Sequence, residues 1–121
     1  MKQEEMAKIR ERELSQKIIN SILLSNKDKN FVDRIINPDK YPVIKNNDGS
    51  YSTHLMAYGE VDGKNIAYPT LFYNQKTNSL YKPDDPVAEA LKTGNFIPFN
   101  KPEDAEWFTK NYKLGMKGVE Q

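Results

Sequence analysis

The chain of 121 residues has no cysteine. That excludes disulfides, thiol nucleophiles and thiolate-ligated zinc, and it leaves the redox compartment open. Histidine occurs once, at His54, so a histidine-rich metal site has no ligands to draw on, and no HExxH is present. Arginine occurs only at positions 10, 12 and 34 among 18 basic residues. Phosphate and base recognition favour the bidentate guanidinium fork, so this scarcity argues against a dedicated nucleic-acid reader. The formal net charge of +1 supplies no bulk field toward nucleic acid or an anionic membrane. No apolar run approaches the roughly 20 residues of a membrane span. The opening MKQEEMAKIRERELSQK is charged throughout and lacks the apolar centre of a signal peptide. We therefore expect a protein made and used in a cytosol, or carried out in an assembly. No P-loop, GxGxxG or GxSxG occurs.

The most structured stretch runs from Tyr51 to Tyr73, YSTHLMAYGEVDGKNIAYPTLFY. It reads as two strands joined at Asp62-Gly63, because an Asp-Gly pair suits a type I′ turn, which needs φ > 0 at both central positions. That turn sets a register: Val61 opposite Lys64, Gly59 opposite Ile66, Ala57 opposite Tyr68, Leu55 opposite Thr70 and Thr53 opposite Phe72. The other face pairs Tyr58 with Ala67, Met56 with Pro69, His54 with Leu71 and Ser52 with Tyr73. Pro69 lacks an N–H, so its position in the second strand implies an edge or a bulge.

Before the hairpin, residues 2 to about 25 form a helix, since good helix formers dominate and Pro and Gly are absent. Its first half is almost all charge. From Leu14 onward, Leu14, Ile18 and Ile22 align at i, i+4 and i+8, with Ile19 and Leu23 beside them. Either the second half docks on the core and the first half is solvated, or the first half projects to meet another chain. Asp28 or Asn30 caps a short second helix, NFVDRIIN, with Phe31, Val32, Ile35 and Ile36 on one face. Asn37-Pro38 ends it. Tyr41 to Lys45 reads as a strand and 46–49 as a turn.

After the hairpin, NQKTN at 74–78 is a loop and Leu80-Tyr81 a short extended piece. A helix follows with Asp85 as N-cap, Pro86 at its first position and Gly94 past its end; Val87, Ala88 and Leu91 are its apolar face. Phe96 to Phe99 is extended. Asn100 caps the last helix, with Glu103 completing a capping-box pattern. Ala105, Trp107, Phe108 and Tyr112 bring large apolar area to it. The order implies an α+β fold: N-terminal helices, an antiparallel β-meander with a central hairpin, and two short C-terminal helices. We divide the chain into a charged helical arm at 1–26, a module at 27–114 and a flexible tail at 115–121.

Catalytic chemistry is not visible. His54 and Glu60 share a strand face but lie six residues apart, about 20 Å at the usual rise, so they are no acid–base pair. His54 reads as a hydrogen-bonded structural residue. Asp84-Asp85 reads as a helix start rather than a metal pair. The NNDGSYS segment lacks the carboxylate spacing of a calcium loop. No cofactor is expected. Seven Tyr, five Phe and Trp107 would suit stacking on single strands, but near-neutral charge favours a core or a protein interface. Ile9, Leu14, Ile18 and Ile22 on the first helix, with Tyr58 and Tyr68 on the hairpin, are the candidate partner-binding residues.

Four motifs carry a resemblance: Thr53-His54-Leu55-Met56, Pro69-Thr70, Lys92-Thr93-Gly94 and Asn111-Tyr112-Lys113. In this order residues 30–113 resemble a module recurrent in tailed-bacteriophage virion-associated proteins, the internal and large multidomain ones that travel with the genome. The resemblance implies a non-enzymatic virion module with other virion proteins as partners, in several copies; the composition argues against membrane and nucleic acid as partners. His54, Asp62, Gly63, Pro69, Gly94, Trp107 and Tyr112 would then be structural residues of the module. The expected role is assembly in a portal, neck, tail or capsid. The alternatives are a cargo protein ejected with the genome, or a binding domain assisting a cell-wall hydrolase.

Overall fold

A computed structural model describes residues 3–45, 51–52 and 56–115. The helices are α1 (Gln3–Ser25), α2 (Asn30–Ile36), α3 (Pro86–Thr93) and α4 (Pro102–Asn111). The strands are β1 (Ile44–Lys45), β2 (Tyr51–Ser52), β3 (Met56–Val61), β4 (Lys64–Pro69), β5 (Phe72–Asn74), β6 (Ser79–Tyr81) and β7 (Ile97–Phe99). All pair antiparallel, and the fold class is α+β as expected. The order in the main sheet is β3-β4-β7, while β1-β2 and β5-β6 are separate two-stranded ribbons.

The central turn forms as its residues dictate. Asp62 has φ 51° and Gly63 φ 80°, and the register from Val61↔Lys64 to Met56↔Pro69 is the expected one. Beyond Met56 the expectation fails. Ser52 pairs with Ile44, not with Tyr73, and Tyr73 pairs with Leu80. His54, with Thr53 and Leu55, lies outside the described residues.

The reason is a matter of parity. A two-residue turn makes Val61–Lys64 a hydrogen-bonded pair, and such pairs alternate along the ladder. Tyr58–Ala67 and Met56–Pro69 are then non-hydrogen-bonded, so β4 directs the polar backbone groups of Asn65 and Ala67 to its other side. There β7 meets them, in the pairs Asn65↔Phe99 and Ala67↔Ile97. Pro69 comes next on that side, brings no N–H, and closes β4. Pro98 stands opposite Ile66, at a non-hydrogen-bonded position where a missing N–H costs the ladder nothing. The extended FIPF segment thus becomes the third strand of the sheet.

One face of the sheet carries the core: Ala67 and Ile97 pack with Ile19 and Leu23 of α1, Phe31, Val32 and Ile35 of α2, Phe108 of α4 and Tyr112. Asp85 caps α3 by accepting from the Ala88 N–H, and Gly94 ends it at φ 78°. Its buried residue is Ala90; Ala88 and Leu91 are exposed, so the packed face is rotated from the expected one. α4 starts after Lys101 with Pro102 at its first position, and no side chain caps it. The expected Asn100–Glu103 box is therefore absent. α2 likewise begins after Lys29 without a side-chain cap, and Asn30 is its first residue.

Gly63 has nothing within 4 Å of the position a Cβ would take. Replacing it by Val therefore costs conformational energy rather than a clash. Gly63→Val should lower stability by about 1–2 kcal/mol, the usual penalty of a left-handed L-residue, read as a lowered denaturant midpoint. An unchanged midpoint would refute the turn assignment.

Candidate functional site

α1 is 23 residues long, roughly 35 Å at 1.5 Å per residue. Among the residues from Gln3 to Leu14 whose side chains are described, none is buried. The second half docks through Ile19 and Leu23, at 0% and 2% exposure. Leu14 and Ile18 lie on an adjacent face and remain 60% and 43% exposed. One residue along a helix is a rotation of about 100°, so the Ile19–Leu23 row and the Leu14–Ile18–Ile22 row cannot both face the core. Ile22, half-buried, stands where the two faces meet.

That meeting line opens a groove of about 520 Å³ between α1, β7 and the start of α4. Ile18 and Ile22 line it from α1, Pro98 and Phe99 from β7, and Trp107 from α4. Ser21, Ser25, Asn26, Asn100 and Asp104 add polar groups to the lining. Trp107 is half-buried and also borders a shallower hollow with Lys8, Arg12 and Asn111. The lining is thus about as polar as it is apolar, the mixed composition that a non-obligate protein interface shares with the rest of a protein surface. Asp104 is the one titratable residue of the lining. Among the described residues no group of three or more His, Cys, Asp or Glu is placed to hold a metal, and no helix is long and apolar enough to cross a membrane.

The groove brings together three residues singled out in the sequence, Ile18, Ile22 and Trp107. Leu14 continues the exposed row one turn away. The side chain of Ile9 lies outside the described residues. Tyr58 and Tyr68 are not at the groove and sit on opposite faces of the sheet: Tyr58, 44% exposed, reaches Glu106 of α4, and Tyr68 lies over Gly59. Sequence reasoning missed Pro98, Asn100 and Asp104. FIPF was the available signal, since an apolar extended piece between two helices needs a strand to pair with.

The buried charge among the described residues is Arg34, 1% exposed and absent from the expected apolar face of α2. It sits three residues after Phe31 and next to Ile35, and that spacing was the signal available in the sequence. Its Nη2 donates to the Leu71 carbonyl at 2.5 Å. Desolvation pulls the guanidinium down to about 10, opposed by the charge that Tyr41, Tyr112 and Tyr81 acquire on ionising. It remains cationic at neutral pH. Two carboxylates stand one step further out. The Tyr41 hydroxyl donates to Asp33, and the Tyr81 hydroxyl donates to Glu89 at 2.6 Å. The bond from Tyr41 is the main reason Asp33 is held below the usual carboxylate range.

All three phenols are raised to about 12, by burial first; Tyr41 and Tyr81 are raised also by their carboxylate partners. Phenols whose folded value exceeds the ordinary 10 add stability that is complete below pH 10 and is lost as pH climbs toward 12. Arg34 works in the opposite direction over that window, as one group against three. The thermal midpoint should therefore fall between pH 10 and 12. The double variant Tyr41→Phe, Tyr81→Phe should flatten that fall in a pH series of melting curves; an equally steep fall would remove these phenols from the account.

Compared with protein-family models, curated proteins and solved structures, the chain matches none.

Proposed function

We propose that this protein is a non-enzymatic assembly module of a tailed-phage particle. It joins neighbouring virion proteins through α1 and the groove that α1 forms with β7 and α4. The observation that carries the assembly reading is the row Leu14–Ile18–Ile22, which emerges from the docked half of α1, stays largely exposed and leads into a groove that Trp107 also lines. A solvated monomer gains nothing from this arrangement, whereas a partner segment laid along it would desolvate the two isoleucines and the indole together. The virion setting comes from the resemblance of residues 30–113, with the turn at Asp62-Gly63, Pro69, Gly94 and Tyr112 as its structural frame.

The charged first half of α1 suits the same role. Its Glu, Lys and Arg residues mix both signs, which keeps the helix soluble until a neighbour covers it. The particle would then hold the chain in several copies, each using the same surface.

Replacing Leu14 and Ile18 together by Glu alters exposed positions, so the fold should lose no more than about 0.5 kcal/mol per site. Trp107→Ala, at a half-buried site, should cost about 1–3 kcal/mol, below the 3–5 of a fully buried Trp. Both variants should be depleted from particles purified from cells that encode the protein, as counted by mass spectrometry against a major capsid component. Incorporation of the Leu14, Ile18 variant at the wild-type level would overturn the groove reading. Absence of the wild-type chain from the particles would overturn the virion reading.

A further inference from the structure

The two edges of the main sheet are built differently. At β7 the outward-facing position is Pro98, which offers no N–H, so that edge is blunted against further strands. At β3 the parity set by the turn directs the backbone N–H and C=O groups of Met56, Tyr58 and Glu60 away from β4. No strand pairs with that edge among the described residues. β3 has six residues, MAYGEV, with no Pro and no Lys to guard it.

We propose that this edge is a homodimer interface, in which β3 pairs antiparallel with β3 of a second copy about a two-fold axis at Tyr58. Three observations favour a second copy as the occupant. First, the outward residues are spaced two apart and centred on Tyr58. Antiparallel pairing with Tyr58 opposite Tyr58 sets Met56 opposite Glu60, and every outward N–H and C=O finds a partner. Second, the single charge of the strand, Glu60, then faces Met56 rather than itself, as it would in a parallel pair. Third, the neighbouring helix is charge-complementary to its own copy. The Tyr58 hydroxyl bonds Glu106, and Lys110 lies in its field. Glu106 and Lys110 are one turn apart on the exposed side of α4, joined at 2.9 Å. The same two-fold sets α4 antiparallel to its copy, bringing Glu106 of each chain toward Lys110 of the other. The product is a continuous six-stranded sheet with Tyr58 at its centre. This interface is separate from the groove at α1, and either can exist without the other.

The test is light scattering and sedimentation of the full chain over a concentration series. The wild type should double in mass with rising concentration, and the Tyr58 and Glu60 amides should gain protection from hydrogen exchange in step. Glu60→Pro removes an outward N–H that the β3–β4 ladder does not use, as Pro69 and Pro98 already do elsewhere in the sheet. It should abolish the dimer and, at concentrations where the wild type is monomeric, leave the thermal midpoint unchanged. Glu106→Lys sets like charges across the axis and should weaken the dimer at least tenfold; adding Lys110→Glu should restore it, which decides the matter if Glu60→Pro fails to fold. A chain monomeric at every concentration, or a dimer indifferent to Glu106→Lys and to Glu60→Pro, overturns the proposal. The Leu14, Ile18 variant should dimerise as the wild type does.

Discussion

A buried cation is the constraint on which much of this fold turns. Arg34 lies on α2 among Phe31, Val32 and Ile35, with its charge retained and almost no contact with water. A guanidinium in that position must be met by acceptors, because an unmet buried charge costs several kcal/mol. The chain supplies them from distant segments. Leu71, in the bend between β4 and β5, gives its carbonyl; Tyr41, Tyr81 and Tyr112 surround the charge; Asp33 and Glu89 anchor two of those phenols. The hub therefore ties α2, α3, β6 and the turn after α4 into one body.

A second constraint acts on the sheet. With hydrogen-bond parity set by one two-residue turn, each proline in the sheet falls where no N–H is needed from it. Pro69 ends β4, Pro98 blunts the β7 edge, and β7 fits onto β4 only in the register those prolines allow. What is left over is asymmetry. One edge is closed, one edge carries outward polar backbone, and the groove lies beside the closed edge, where α1 and α4 converge.

These surfaces share a logic. The groove mixes apolar and polar side chains, and the helix that builds it carries a solvated charged half. The β3 edge is backbone-rich and sits beside an oppositely charged pair on α4. A small protein with two such surfaces on different sides can link neighbours in more than one direction, which is the requirement of an assembly component. The core stays well packed beneath both, so the surfaces sit on rigid elements rather than on loops.

The sequence by itself determined the pieces that depend on near neighbours. The helix of Gln3–Ser25 follows from its helix formers, the turn from Asp62-Gly63, the register back to Met56–Pro69 from that turn, and both ends of α3 from Asp85, Pro86 and Gly94. These signals act within a few residues, so no distant contact was needed to read them. Tertiary structure decided the rest. Which isoleucines of α1 face inward depends on a rotation of about 100° per residue, and only the arrival of α2, β7 and α4 selects Ile19 and Leu23. The pairing of FIPF with β4 joins residues thirty positions apart. The end of the hairpin at Pro69, rather than at Tyr73, depends on β6 competing for Phe72 and Tyr73. The burial of Arg34 brings together groups from four separate segments, the Leu71 carbonyl and the rings of Tyr41, Tyr81 and Tyr112. None of these has a local signature, because each is chosen by the free energy of packing and pairing between parts of the chain that the sequence leaves far apart.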